Sequence, residues 1–260
     1  MTDLDASLNA VNFSDAHFEI GRYFDKLMPR QKKTKIDIPD IHGYIQLKKK
    51  FLPRDIPILG ILHADTKAQL ITRIPTFAEF CYSDDPVQLI FNDKSDRYYL
   101  VEYDDTQELQ KRGQFVPMRL QFTADDPFGY AVTPDSDTQA GVVVKGTTWN
   151  ITNSGQTYAF PTITITFNQS QSHIYIANNS ISGNRIDISK SFVDTNVLVI
   201  NSKTMAITLG GSYSPAGFGD GGTGKAGYIL LKTGVNELEV STDDGTINVD
   251  IKTEFRKVYL

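Results

Sequence analysis

The stretch from Gly113 to Pro134 reads GQFVPMRLQFTADDPFGYAVTP, and its reading decides how the chain divides. Val116, Met118, Leu120 and Phe122 alternate with polar or small neighbours, the pattern of a strand with one face buried. The strand breaks at Asp125-Asp126-Pro127. Asp126 precedes a proline and is pushed to extended geometry, and Pro127 has no N–H to give to a ladder. Phe128 and Tyr130 then flank Gly129, two rings placed to pack just past the break. We read this as the last strand of a first domain, residues 1–133, followed by a stiff exit into a second, residues 134–260. Asp126, Pro127, Phe128 and Tyr130 are the candidate interdomain junction.

Working back from the junction, VQLIFNDKSDRYYLVEY predicts a hairpin: Val87 to Phe91 as one strand, Asn92 to Asp96 as a polar turn and Arg97 to Tyr103 as the return. Before it, Ala68, Ile71, Ile74, Phe77, Ala78 and Cys81 recur at helical spacing, with Asp65 or Thr66 able to cap the start. Pro75 inside that pattern predicts a kink or two short helices. Phe77 and Phe80 are expected to pack on the sheet, and Cys81 to be a buried inert thiol. Pro53, Arg54, Ile56, Pro57 and Ile58 are expected to lead into a further strand through Leu62. Ile36 and Ile38, then Ile45 and Leu47, alternate around a turn at Asp40 to Gly43, which predicts another hairpin. Lys32, Lys33, Lys35, Lys48, Lys49 and Lys50 flank that turn and come together if the two strands pair. They are either the solvated, charge-protected edge of a hairpin or an arm that docks on a neighbouring subunit's acidic surface, a candidate oligomer interface. Up to about Phe24 no long pattern appears, and an arm or a short first strand is expected.

Beyond the junction, short apolar runs separated by turn residues predict β-structure throughout. Strands are expected at Val142–Lys145, Thr162–Phe167, His173–Ala177, Arg185–Ile188, Val197–Ile200, Met205–Leu209, Tyr228–Lys232, Glu237–Val240 and Thr246–Ile251, the spacing of a β-sandwich.

Composition narrows the class. The chain has 260 residues, 40% hydrophobic and 22% charged, enough to bury a sizeable core. No apolar run approaches the ~18 residues of a membrane span. The opening MTDLDASLNAVNFSDAHFEI is acidic and polar and does not read as a signal peptide. A single cysteine suits a reducing cytoplasm, where the sequons at Asn12, Asn150, Asn168 and Asn178 are chance matches. A net charge of −5 and a pI near 5.4 argue against a dedicated nucleic-acid binder.

Motifs for chemistry are weak. Gly219 to Ala226, GDGGTGKA, imitates a phosphate loop but has Ala226 where a metal-binding hydroxyl belongs, and it leads into a strand-like run. The acid pairs Asp84/Asp85, Asp104/Asp105, Asp125/Asp126 and Asp243/Asp244 sit at or near predicted turns, where carboxylates cap or solvate more often than they catalyse. His17, His42, His63 and His173 have no metal-ligand spacing. Trp149, the single tryptophan, is either a core residue or a ring on which a sugar stacks.

A strand ending in F-x-x-D-D-P-F-x-Y (Phe122, Asp125, Asp126, Pro127, Phe128, Tyr130) resembles the distal tail protein (Dit) family of long-tailed phages. So do the glycine, strand, P-R-x-I order from Gly43 through Pro53, Arg54 and Ile56, and the pieces Phe91, Asp93, Asp96, Tyr98 and Tyr99. In the second half Asn153 to Gly155, Pro161-x-Ile163-x-Ile165, Ile176-x-Asn178 and Gly234-x-Asn236 are similar to the family's C-terminal domain. The resemblance implies a mainly β protein: an N-terminal split-barrel-like sheet with one helix, then a galectin-like β-sandwich. It implies a homo-hexameric ring in the virion, assembled in the host cytoplasm. Such a ring joins the tail tube protein to a tail-tip hub, fibre or lysin protein and lets DNA through its bore, with no catalysis, no cofactor and no membrane. The alternative is a carbohydrate-binding, lectin-like module that contacts the host surface. The chain has no room for a large inserted adhesion module.

Overall fold

The computed structural model describes residues 4–23, 28–37, 44–108, 113–213, 218–219 and 228–260. The chain forms two compact units, Met1–Val132 with Leu260, and Thr133–Tyr259. Both are β-rich, and among the described residues one helix of α type lies in the first.

The first unit opens with β1 (Ala6–Leu8), β2 (Val11–Asn12) and β3 (Phe18–Tyr23), where the sequence suggested an arm or one strand. The first two are too short to show a period. The unit continues with β4 (Gln31–Asp37), β5 (Tyr44–Phe51), β6 (Arg54–His63), α1 (Lys67–Cys81), β7 (Val87–Phe91), β8 (Arg97–Glu108), β9 (Phe115–Ala124) and β10 (Gly129–Ala131). The main sheet runs β2-β1-β7-β8-β9-β6-β3, while among the described residues β4 and β5 pair only with each other. β9 buries Val116, Met118, Leu120 and Phe122 on one face, as its alternation requires, and pairs with β6 from Phe115–His63 to Ala124–Arg54. Gly60 on β6 is obligatory. A Cβ there would collide with the Phe18 ring and the Glu19 carbonyl of β3.

Helix α1 starts at a capping box: the Gln69 N–H donates to Thr66 Oγ1, and the Thr66 N–H donates to Gln69 Oε1, each at 3.2 Å. It is one continuous helix through Pro75, which sets aside the two short helices, one of the two outcomes the proline predicted. Pro75 removes one backbone donor, but Leu70, Ile74, Phe77 and Cys81 form a single apolar stripe that docks on the sheet regardless. Phe77 stacks on Phe18 with centroids 5.0 Å apart, and Phe13 meets Phe80 edge-on at 5.1 Å. Burial pushes the Cys81 thiol up to about 12.

The second unit contains β11 (Asp135–Val142), β12 (Thr147–Asn153), β13 (Thr162–Phe167), β14 (Gln171–Asn178), β15 (Arg185–Phe192), β16 (Val197–Asn201), β17 (Ala206–Leu209), β18 (Ser212–Tyr213), β19 (Phe218–Gly219), β20 (Gly234–Ser241), β21 (Val249–Phe255) and β22 (Val258–Tyr259). Two antiparallel sheets result, β11-β21-β13-β16-β17-β18 and β12-β20-β14-β15-β19. Each buries its alternate residues: Ile163, Ile165, Leu198 and Ile200 in one, Ile174, Ile176, Ile186 and Leu238 in the other. Phe167 of the first sheet stacks on Phe192 of the second at 4.2 Å, so the two pack face to face as a β-sandwich.

Two expected strands are corrected. Of Val142–Lys145 only Val142 is in a strand, as the last residue of β11; a turn follows at residues 143–146 and β12 begins at Thr147. Tyr228–Lys232 is not a strand. It makes one bridge, Leu231 to Ala159, and is otherwise held by asparagine side chains. Asn178 donates to the Leu230 carbonyl at 2.6 Å, and Asn184 donates to the Tyr228 carbonyl at 2.7 Å while its Oδ1 accepts from the Leu230 N–H. Asn236 accepts from the Lys232 N–H and donates to the Lys232 carbonyl. These amides do the work of a ladder, leaving few buried backbone groups without a partner.

Candidate functional site

The lysine-bearing hairpin is a two-stranded sheet of its own. Its register places Lys32 opposite Lys50 and Lys33 opposite Lys49, with Thr34 opposite Lys48 and a bulge before Lys35. All six lysines are exposed. Neighbours along a strand point to opposite faces, so the two lysine pairs give each face of the hairpin a doubled positive charge. Like charges directly opposite destabilise a strand pair, and an isolated two-stranded hairpin is marginal in water. The hairpin is tied at its foot, where the Leu52 N–H donates to the Arg30 carbonyl at 2.8 Å and Phe51 packs edge-on against Phe128 at 5.2 Å. The turn Asp40 to Gly43, with His42, lies outside the described residues.

The junction residues are built into the first unit. Thr123 on β9 faces Glu102 on β8, and Tyr130 on β10 faces Tyr98, further back along β8. Seven residue steps on one side thus run beside four on the other, and Asp125 to Phe128 take up the excess. Asp125 is exposed and Pro127 buried. The Tyr130 hydroxyl donates to the Asp126 carboxylate, its ring lies 5.9 Å from that of Tyr98, and burial, with the Asp126 contact second, pushes its phenol well above the usual range. A Cβ on Gly129 would sit 3.2 Å from the Tyr99 ring, which leaves little room there for anything but glycine.

The remaining sequence candidates are scattered. Trp149 is buried on β12. The Asp104/Asp105 pair lies within β8 at a bulge rather than at a turn. Asp84 accepts from Tyr82, and Asp244 accepts from both the hydroxyl and the N–H of Ser172, each at 2.6 Å. Those two bonds hold the Asp244 carboxyl below its ordinary range. His63 lies 3.5 Å from Glu19. The residues Asp220 to Ala226 of the glycine-rich loop lie outside the described residues.

A polar cleft of about 290 Å³ on the second unit was not foreseen. It lies on the face of the β20-β14-β15 sheet opposite the core. Ala177 pairs with Glu239 on one side and Arg185 on the other, and Tyr175 pairs with Ser241 and Asp187. The methyl of Ala177 is thus a low floor between longer side chains. Tyr175 donates to Glu239 Oε1 and Asn179 donates to Glu239 Oε2, both at 2.9 Å. Arg185 donates to Asp187 at 2.6 Å and lies 4.0 Å over the Tyr175 ring. The other Asp187 oxygen meets His173 Nε2, while His173 Nδ1 accepts the Asp243 N–H, so the ring proton faces Asp187. Burial holds the Tyr175 phenol above its ordinary range. The signal available in the sequence was the outward set of alternate residues, Tyr175, Arg185, Asp187 and Glu239, but only strand register brings them together.

Two family profiles match the chain: the phage tail protein RIFT-related domain over residues 12–124, and the siphovirus-type tail component C-terminal domain over residues 154–259. No curated protein matches it significantly. Among solved structures, the Dit protein of phage SPP1 (gp 19.1), described as a paradigm of the hub adsorption apparatus in phages infecting Gram-positive hosts, is 18% identical and aligns over 99% of both chains with a TM-score of 0.80. The phage P2 baseplate in its activated conformation with calcium is 9% identical over 96% of this chain and 97% of that one, with a TM-score of 0.50. Fold and profiles together define a structural component of a siphovirus tail. Between them the profiles account for most of the sequence, and the chain belongs to the distal tail protein (Dit) family.

Proposed function

We propose that the chain forms a closed homo-hexameric ring at the distal end of a phage tail. The ring joins the tail tube protein on one side to a tail-tip hub, fibre or lysin protein on the other, and DNA passes through its bore without sequence-specific contacts. Assembly takes place in the host cytoplasm. The observation that carries this reading is the likeness to the SPP1 Dit protein over the full length of both chains, in both β-rich parts. Residues 1–133 serve as the ring-forming domain and 134–260 as a second domain, with Asp126, Pro127, Phe128 and Tyr130 fixing how the chain leaves the first. The six hairpin lysines supply a further argument. A hairpin that sets lysine against lysine is costly alone and favourable against acids, and a head-to-tail contact of that kind closes into a ring when its rotation allows. Native mass spectrometry of the full chain is expected to give six subunits, and negative-stain images a ring with an open centre. A monomer at every concentration tried would end the proposal.

A further inference from the structure

The cleft over Ala177 is organised for a ligand of a particular chemistry. Ala177 and Ile181 give it apolar surface, and Glu239, Asn179 and Arg185 line it with acceptors and donors. These groups hold one another in place. Each Glu239 oxygen already receives one hydrogen bond, from Tyr175 or Asn179, and each Asp187 oxygen receives one, from Arg185 or His173. A carboxylate oxygen accepts twice, so each Glu239 oxygen keeps a second lone pair for a ligand O–H, and the terminal nitrogens of the guanidinium keep N–H groups beyond the one given to Asp187. The rim is therefore set before any ligand arrives, which limits the ordering cost of binding.

The charge selects among ligands. The lining sets one guanidinium, already paired with Asp187, beside one carboxylate, so a phosphate or an acidic sugar finds no net attraction. A neutral polyol presents what the rim lacks, paired hydroxyls that donate to a carboxylate and accept from Arg185, and its C–H face suits the Ala177 and Ile181 floor. The volume lies at the small end of ligand pockets and fits a compact molecule rather than a long chain. We propose that this cleft binds a neutral sugar ring. The site stands on the sheet of the second unit and does not depend on ring assembly.

The test uses the full chain, with its mass measured in the same preparation so that loss of sugar binding and loss of assembly are read separately. Saturation-transfer NMR is run with glucose, galactose, mannose, rhamnose and N-acetylglucosamine, and with glycerol phosphate as the anionic probe. A single shallow site of this kind binds at about millimolar strength. The expected result is saturable transfer from at least one neutral sugar and none from glycerol phosphate. Ala177→Leu, which fills the floor, and Glu239→Gln, which removes a charged acceptor, are each expected to weaken binding at least ten-fold with the melting curve retained. The proposal is overturned if no neutral sugar gives a saturable signal at about ten times that concentration, if glycerol phosphate binds better, or if either folded variant binds as the parent does.

Discussion

Single residues here act mostly by holding backbone that strands do not hold. Asp244 is an instance, since it takes two hydrogen bonds from Ser172 and so ties the start of β14 to the loop after β20. Its folded pKa is depressed below the ordinary carboxylate value of ~3.9. Its contribution to stability is therefore fully present above that value and is lost as pH falls through the folded one. Asp244→Asn should lower the melting temperature at neutral pH, and the gap from the parent should close in acid. Solvent reaches this carboxylate, so the effect should stay within about 1 kcal/mol, or ~2–4 °C for a chain of this size. Parallel melts from neutral pH down to about pH 2 check the sign. A gap that is constant with pH would mean the residue acts through its shape instead of its charge. The asparagines show the limit of reading by pattern. Asn153, Asn178 and Asn236 stand among the pieces that resemble the family, and nothing in periodicity explains them. The structure does: their amides hold the chain from Thr157 and from Leu230 to Gly234.

Elements were legible where apolar alternation was clean and bounded by turns. β7 and β13 fall at the expected residues, Val87–Phe91 and Thr162–Phe167. β11 was invisible because DSDTQAG carries no apolar alternation; it is an exposed edge strand whose polar residues suit solvent. Tyr228–Lys232 misled for the opposite reason, since it is apolar and buried but paired with side chains. Six lysines near one turn could be read as a cluster, but their face-to-face register could not. The sugar cleft was closed to sequence reading because its groups sit on three strands up to 64 positions apart. Phe128 is half-buried and meets Phe51, so it braces the foot of the lysine hairpin. Phe128→Ala should cost about 1–2 kcal/mol, below the ~3–5 kcal/mol of a fully buried phenylalanine. Amide exchange in β4 and β5 should quicken more than in β6 or β9. Equal protection in the hairpin of parent and variant would show that the ring contact does not brace it.

At the scale of the molecule, the proposed ring depends on contacts that many weak charges share. An exposed ion pair is worth ~0–1 kcal/mol, so one lysine reversed to glutamate should leave the hexamer intact. Reversing Lys32, Lys33, Lys35, Lys48, Lys49 and Lys50 together should return it to folded monomers with an unchanged circular dichroism spectrum. Full assembly after all six changes would return the hairpin to the role of a solvated edge. The face-to-face lysines also make ionic strength act in two directions. In a free subunit, salt relieves the repulsion across the hairpin and helps it close. Between subunits, the same salt weakens any attraction to acids on a neighbour, over a screening length of about 10 Å at 0.1 M. Subunit fold and subunit assembly should then prefer different salt, and the yield of rings should pass through a maximum between a regime limited by frayed hairpins and one limited by screened docking.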